Sequence, residues 1–201
     1  MSGLLWSVLL SLSPKAMALS LVLPGAGELS LGEAHRAVPF LITEAVSWVS
    51  WGTFRNLQLR TTEEYRGFAY HYAGADARRT DEAYWHAVEF YPNREAYLEG
   101  LWMKARALYP DDPEAQAAYV EQHDVGGSWM WPNGALWARF QGLRERVRSY
   151  EGWVTLSLGL MAINRLASVV DVFLLERTQG RVGMDFQGSP QGVRAGIRWW
   201  P

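Results

Sequence analysis

The sequence predicts a mainly α-helical, membrane-associated bundle with a soluble helical middle and a short C-terminal β-hairpin. Two apolar runs, near residues 37–54 and 152–175, are each interrupted by charge. Between them lies a charge-rich stretch in which aromatic residues recur at helical spacing. The chain of 201 residues also carries eleven Trp, a side chain that suits half-wet boundaries because a large apolar face carries one N–H donor.

Residues 1–23 open with an apolar run from Leu4 to Leu12, then Ala16-Met17-Ala18, which has the small-x-small form of a signal-peptidase site. No basic residue precedes the run. The expectation is a retained apolar helix or helix pair broken near Pro14, with a cleaved signal as the alternative. Leu23-Pro24-Gly25-Ala26-Gly27 then stops the helix, because Pro cannot continue the hydrogen-bond ladder and Gly admits left-handed backbone. The turn is assigned to Pro24, Gly25 and Gly27.

From Ala37 to Phe54, AVPFLITEAVSWVSWGTF has Glu44 as its only formal charge. As a helix it is about 27 Å long, just enough to cross a hydrocarbon core. It is expected to end at Arg55-Asn56. Residues 57–149 read as a soluble, Tyr- and Trp-rich block of four or five short helices, broken at Gly74, Pro92-Asn93, the Pro110–Pro113 turn, Gly126-Gly127 and Pro132-Asn133-Gly134. Asp111-Asp112 reads as a turn and helix N-cap.

Gly152 to Leu175 is a second apolar run, roughly 36 Å as a helix, containing Asn164, Arg165 and Asp171. The tail alternates Val182, Met184 and Phe186 with Arg181 and Asp185, and resumes as VRAGIRWW after a Gly/Pro turn, which predicts a hairpin over 178–201. The domain expectation is therefore 1–56, 57–149, 150–177 and 178–201, together forming one structural domain.

Composition excludes several function classes. A net charge of -2 offers no basic stripe for nucleic acid. Zero cysteines remove disulfides, thiolate catalysis and Cys-ligated metal. A mean hydropathy of -0.14 keeps any membrane part small. His35, His71, His86 and His123 are scattered, His86-x-x-Glu89 is a chance helical spacing, and no HExxH, GxSxG, phosphate-loop or dinucleotide pattern occurs. No cofactor, metal or catalytic residue is expected.

On the second apolar run Ser157, Asn164, Ser168 and Asp171 share one helical face, with Arg165 about 100° away. Glu44, Ser47 and Trp51 are similarly aligned on the first. A lone charge at the bilayer centre costs on the order of 2.5 to 3.5 kcal/mol on insertion scales, so these groups should face one another. Glu44 is expected to pair with Arg165. The alternative is that both runs are core helices of a soluble bundle and the seam marks its wet edge.

SPKAMALSLVLPGAGELSLGEAHRAVPFLITEA resembles the opening of a widespread bacterial family of small envelope membrane proteins, classed as a domain of unknown function. That family's signature is Ser-Leu-x-x-Pro-Gly-x-Gly-Gln followed by an apolar helix with an acidic residue. The matching positions are Ser20, Pro24, Gly25, Gly27 and Glu44. Residues 128–177 are similar to its aromatic-rich stretch, Leu-Arg helix and Asn-Arg-x-x-Ser-x-x-Asp helix, at Trp129, Trp131, Leu143, Arg144, Asn164, Arg165, Ser168 and Asp171. Glu28 stands where the family usually has Gln.

The resemblance implies a place in the bacterial cell envelope and no established reaction. The expected role is a non-catalytic structural or accessory subunit. Its expected partners are membrane lipid and other envelope subunits, with Trp48, Trp51, Trp129 and Trp131 as interface candidates. Two alternatives stand beside it: an oligomeric ion or solute conduit using Glu44, Arg165 and Asp171, and a soluble helical hydrolase.

Overall fold

The computed structural model describes residues 15–178 with their side chains, and the backbone alone of residues 14, 182–189 and 192–199. Among the described residues the chain forms seven helices: α1 (Pro14–Val22), α2 (Ala26–Ser30), α3 (Ala34–Ala73), α4 (Glu82–Phe90), α5 (Arg94–Leu108), α6 (Pro113–His123) and α7 (Gly134–Thr178). The expectation of a mainly α fold is met. The apolar run Leu4–Leu12 lies outside the described residues.

Local chemistry sets the short helices. Asn93 caps α5 by accepting from the Ala96 amide at 2.8 Å, and Asp112 caps α6 by accepting from the Ala115 amide at 2.9 Å with Pro113 in its first turn. Gly74, Gly126 and Gly127 break the chain with left-handed backbone.

Two boundaries differ from expectation. The helix expected to end at Arg55-Asn56 runs on to Ala73, and the one expected from Gly152 already starts at Gly134. A change from apolar to charged side chains alters a helix's surroundings without breaking its ladder, and an interior Gly such as Gly152 costs only about 1 kcal/mol. The ends of the middle block therefore belong to two long helices, leaving three short ones, α4 to α6, where four or five are expected.

The backbone of Val182–Ser189 is antiparallel to that of Gly192–Trp199. A lone two-stranded hairpin is marginal in water, so the expected tail hairpin is not an element on which the fold rests.

The chain divides into two compact units. Residues 52–154 make one; among the described residues, 14–51 and 155–178 belong to the other. The 52–154 unit has an ordinary apolar core in which Tyr84, Trp85, Val88 and Phe140 are completely buried. Its aromatic rings meet edge to face, as Tyr65 and Trp85 do at 5.2 Å between centroids.

Trp129 and Trp131 belong to this core and are withdrawn as interface candidates. Both are buried, and their indole N–H groups donate to Tyr91 O at 3.0 Å and Val88 O at 3.1 Å. Two ring faces and one satisfied donor make a buried hub, which is the other use of Trp. An ion network crosses the same unit: buried Arg144 donates to Glu89 at 3.1 Å and also pairs with Glu82, while Arg148 reaches Glu89 at 2.8 Å. Burial opposes charge on Arg144, but its hydrogen bonds to Glu82 and Glu89 prevail and hold the guanidinium above its ordinary pKa.

The other unit inverts this pattern. Its buried side chains are Ser20, Glu28, Glu44, Ser47, Ser157, Asn164 and Ser168, joined by a few apolar residues such as Ala37, Met161 and Val172. Outward-facing positions hold Val22, Ile42, Val49, Leu156, Ile163 and Leu166, each more than half exposed. One helix among the described residues, α7, is long and apolar enough to cross a membrane, with a mean hydropathy of 1.8 in its best window and only 28% of that window buried.

Candidate functional site

The polar interior of this inverted unit is the candidate site, and the sequence builds it from helical spacing. On α7 Ser157, Met161, Asn164, Ser168, Val172 and Leu175 are buried, at intervals of three and four that form one continuous stripe. On α3 the inward positions include Ala37, Glu44 and Ser47. Arg36 lies against Asp171 while Glu44 lies against Asn164 and Arg165, so the two helices run antiparallel here.

Three clasps follow one another along the stripe. In the first, the fully buried Glu28 carboxylate accepts from Ser20 Oγ at 3.0 Å and from Ser168 Oγ at 2.8 Å. Each serine oxygen in turn accepts a backbone amide: Gly27 N–H reaches Ser20 Oγ at 3.1 Å, and Gly25 N–H reaches Ser168 Oγ at 3.0 Å. Two N–H to O–H chains therefore converge on one carboxylate. Dipoles aligned in this way polarise one another, which strengthens each bond in an apolar surround.

The Pro24-Gly25-Ala26-Gly27 turn makes this clasp possible. Gly25 has φ 95°, a left-handed conformation that disfavours any side chain. A Cβ on Gly27 would lie 2.3 Å from both Ala16 O and Ser20 Oγ. Close backbone approach, rather than flexibility, requires that glycine.

In the second clasp Arg36 donates to Asp171, through Nε at 3.1 Å and through Nη2. In the third, Glu44 takes Arg165 Nη2 at 2.6 Å, Asn164 Nδ2 at 3.3 Å and Trp48 Nε1 at 2.9 Å. Asn164 also donates to Phe40 O at 3.0 Å, across to a backbone carbonyl of α3. Burying a charge is tolerable only when it is paired and hydrogen-bonded, and both conditions hold for Glu44.

Of the residues singled out from sequence, Glu44, Asn164 and Arg165 come together in the third clasp, and Ser168 and Asp171 enter the first and second. Pro24, Gly25 and Gly27 form the turn. Trp48 is half exposed, with its indole N–H on Glu44 and its ring edge-on to Trp51 at 5.7 Å. His86 and Glu89 do not act together: His86 stacks on Phe90, and Glu89 serves Arg144 and Arg148.

Sequence reasoning missed Ser20 and Glu28 as partners of Ser168, and Arg36 as the partner of Asp171. A signal for Arg36 existed. Cation then anion along α3, at Arg36 and Glu44, mirrors anion then cation read backwards along α7, at Asp171 and Arg165, which is the order an antiparallel pair needs. No family profile, curated protein or solved structure matches the chain.

Proposed function

We propose that the chain is a helical membrane protein of the bacterial cell envelope that serves as a non-catalytic structural or accessory subunit of a larger assembly. The observation that carries this reading is the inverted burial of the unit formed by residues 14–51 and 155–178. In water, exposed Leu, Ile and Val around a polar interior lose the hydrophobic driving force and desolvate charge for nothing. In a bilayer the same arrangement is favourable, because lipid solvates the outer face and the clasps satisfy the charges of Glu28, Arg36, Glu44, Arg165 and Asp171, which lipid cannot. The envelope location rests on the family resemblance. The terminal hairpin remains part of this proposal, as a tail beyond α7.

The three clasps act on this reading as helix-to-helix fastenings. A conduit lined by Glu44, Arg165 and Asp171 would need those charges to face a path, whereas each is closed on a neighbour. Two experiments test the proposal. Carbonate washing of membranes should leave the protein in the pellet, and release into the supernatant would sink the spanning arrangement. Purification in mild detergent should recover stoichiometric partner subunits, and a monodisperse monomer would count against the accessory role.

A further inference from the structure

Within the 52–154 unit one buried cation is closed by an exposed anion. The Arg144 side chain is 5% exposed, and its Nε donates at 3.1 Å to Glu89, itself buried, which fixes the orientation of the guanidinium. Its two Nη groups go to Glu82 instead, Nη1 at 3.2 Å and Nη2 alongside. The Glu82 side chain is 73% exposed. The Tyr65 ring lies 5.1 Å from the guanidinium carbon and backs it on one face.

The two ends of this pair differ in their freedom. Arg144 is held by Glu89, whereas Glu82 is the first residue of α4, directly after the irregular segment 74–81, and rotating its side chain breaks no helical hydrogen bond. The remaining charges of the network stay paired without it: Glu89 keeps Arg144 Nε and Arg148, and Arg148 keeps Glu145 at 2.8 Å. Departure of Glu82 would leave only the Nη edge of Arg144 without a charged acceptor. A buried guanidinium in that state demands another anion. Two N–H donors in one plane match the two oxygens of a carboxylate, and a single negative charge replaces the one removed. A phosphate dianion would bring a second charge beside Glu89. Arg66 adds positive potential nearby: it stands 5.9 Å from the rings of both Tyr65 and Trp85, and its buried Nε has no acceptor among the described residues.

We propose that the Nη edge of Arg144 binds the carboxylate of a small organic acid, and that Glu82 occupies this site as a displaceable stand-in. The site lies wholly within the 52–154 unit and does not depend on the membrane reading. The test adds sodium acetate to the full chain in detergent, with sodium chloride holding ionic strength constant. Saturation-transfer NMR follows bound acetate, and near-ultraviolet circular dichroism follows melting of the unit. Glu82→Ala leaves a space of acetate's size, so it should bind acetate saturably and at least severalfold more tightly than the wild type. Its melting temperature should rise with the bound fraction. The wild type should fill the same site at higher concentration, because Glu82 competes from the same chain. Glu145→Ala also strips an exposed carboxylate from an arginine, yet should behave like the wild type, since Arg148 is 46% exposed and keeps Glu89.

Arg144→Lys in the Glu82→Ala background should abolish binding, because an ammonium keeps the charge without the paired donors. Should that variant fail to fold, the contrast between Glu82→Ala and Glu145→Ala decides alone. The inference is overturned if Glu82→Ala shows no saturable binding, if it binds no better than the wild type, or if Glu145→Ala gains as much. Absence of binding to the wild type would overturn it as well, by making the Glu82 contact a permanent ion pair. So would tighter binding of inorganic phosphate than of acetate. The membrane reading stands or falls separately, on carbonate washing.

Discussion

Ser168 Oγ stands 2.8 Å from Glu28 Oε1 and 3.0 Å from the Gly25 amide nitrogen, so one hydroxyl on α7 fastens both the turn and the carboxylate that follows it. Ser168→Ala removes the donor to Glu28 and the acceptor for Gly25 together. Leaving a buried donor unsatisfied costs about 1–3 kcal/mol, and a charged group more. The expected result is a melting temperature in detergent clearly below that of the wild type; an unchanged value would mean that the clasp does not hold the unit together.

Gly27→Ala should be more damaging than its single methyl suggests, because the new Cβ would sit 2.3 Å from Ala16 O and Ser20 Oγ, one of them backbone. Overpacking of this kind costs about 1–3 kcal/mol. Gly159→Ala on α7 meets nothing within 4 Å and should be neutral or slightly stabilising. Comparing the two melting curves isolates the steric cost from the general effect of replacing a glycine.

For the third clasp, Glu44→Gln and Arg165→Gln should be non-additive. Residues sharing one ion pair show coupling of about 0.5–3 kcal/mol, whereas independent sites add within about 0.5 kcal/mol. A double-mutant cycle on thermal stability that closes additively would reject energetic coupling across the 2.6 Å contact.

Truncating Trp131 should unfold the 52–154 unit far more readily than truncating Trp48. Trp131 is buried and donates to Val88 O, and a large-to-Ala change in such a core costs about 3–5 kcal/mol. Trp48 is half exposed. Chemical denaturation followed by near-ultraviolet circular dichroism should show a large shift for Trp131→Ala and a small one for Trp48→Ala.

Acid should weaken the 52–154 unit through two aspartates. The Arg94 side chain, 2.6 Å away, holds the Asp124 carboxyl below its ordinary pKa against the opposing effect of burial, and Arg79 does the same for Asp81. A carboxylate whose pKa is lowered on folding adds stability that is complete above its unfolded value, about 3.9, and is lost as pH falls through the lower folded value. The gap in urea midpoint between wild type and Asp124→Asn should therefore persist from pH 7 to about 5 and close below about 4. A gap independent of pH would remove the charge from the explanation.

Much of the seam could be read from residue spacing because a helix repeats every three or four positions, and Asn164, Ser168 and Asp171 on α7, like Glu44 and Ser47 on α3, recur at those intervals. Glu28 escaped because its surroundings depend on a turn that folds back on α1, and no periodicity connects Ser20, Glu28 and Ser168. Trp129 and Trp131 misled for a different reason: an indole in a core and an indole at a boundary have the same chemistry, and only tertiary packing distinguishes them. The long helices were foreshortened because polarity changes along them while backbone propensity does not.

The division into units has a consequence in time. The clasped unit is discontinuous in sequence, with residues 52–154 inserted between its two parts. Glu28 and its partner Ser168 are 140 positions apart. At roughly 5 to 20 residues per second, the ribosome makes Glu28 about 7 to 28 s before Ser168. Glu28, then Arg36 and Glu44, emerge without their α7 partners, and the whole of the intervening block is made before Ser168 appears. The order of synthesis thus leaves the first-made helices waiting on the last one to close the structure.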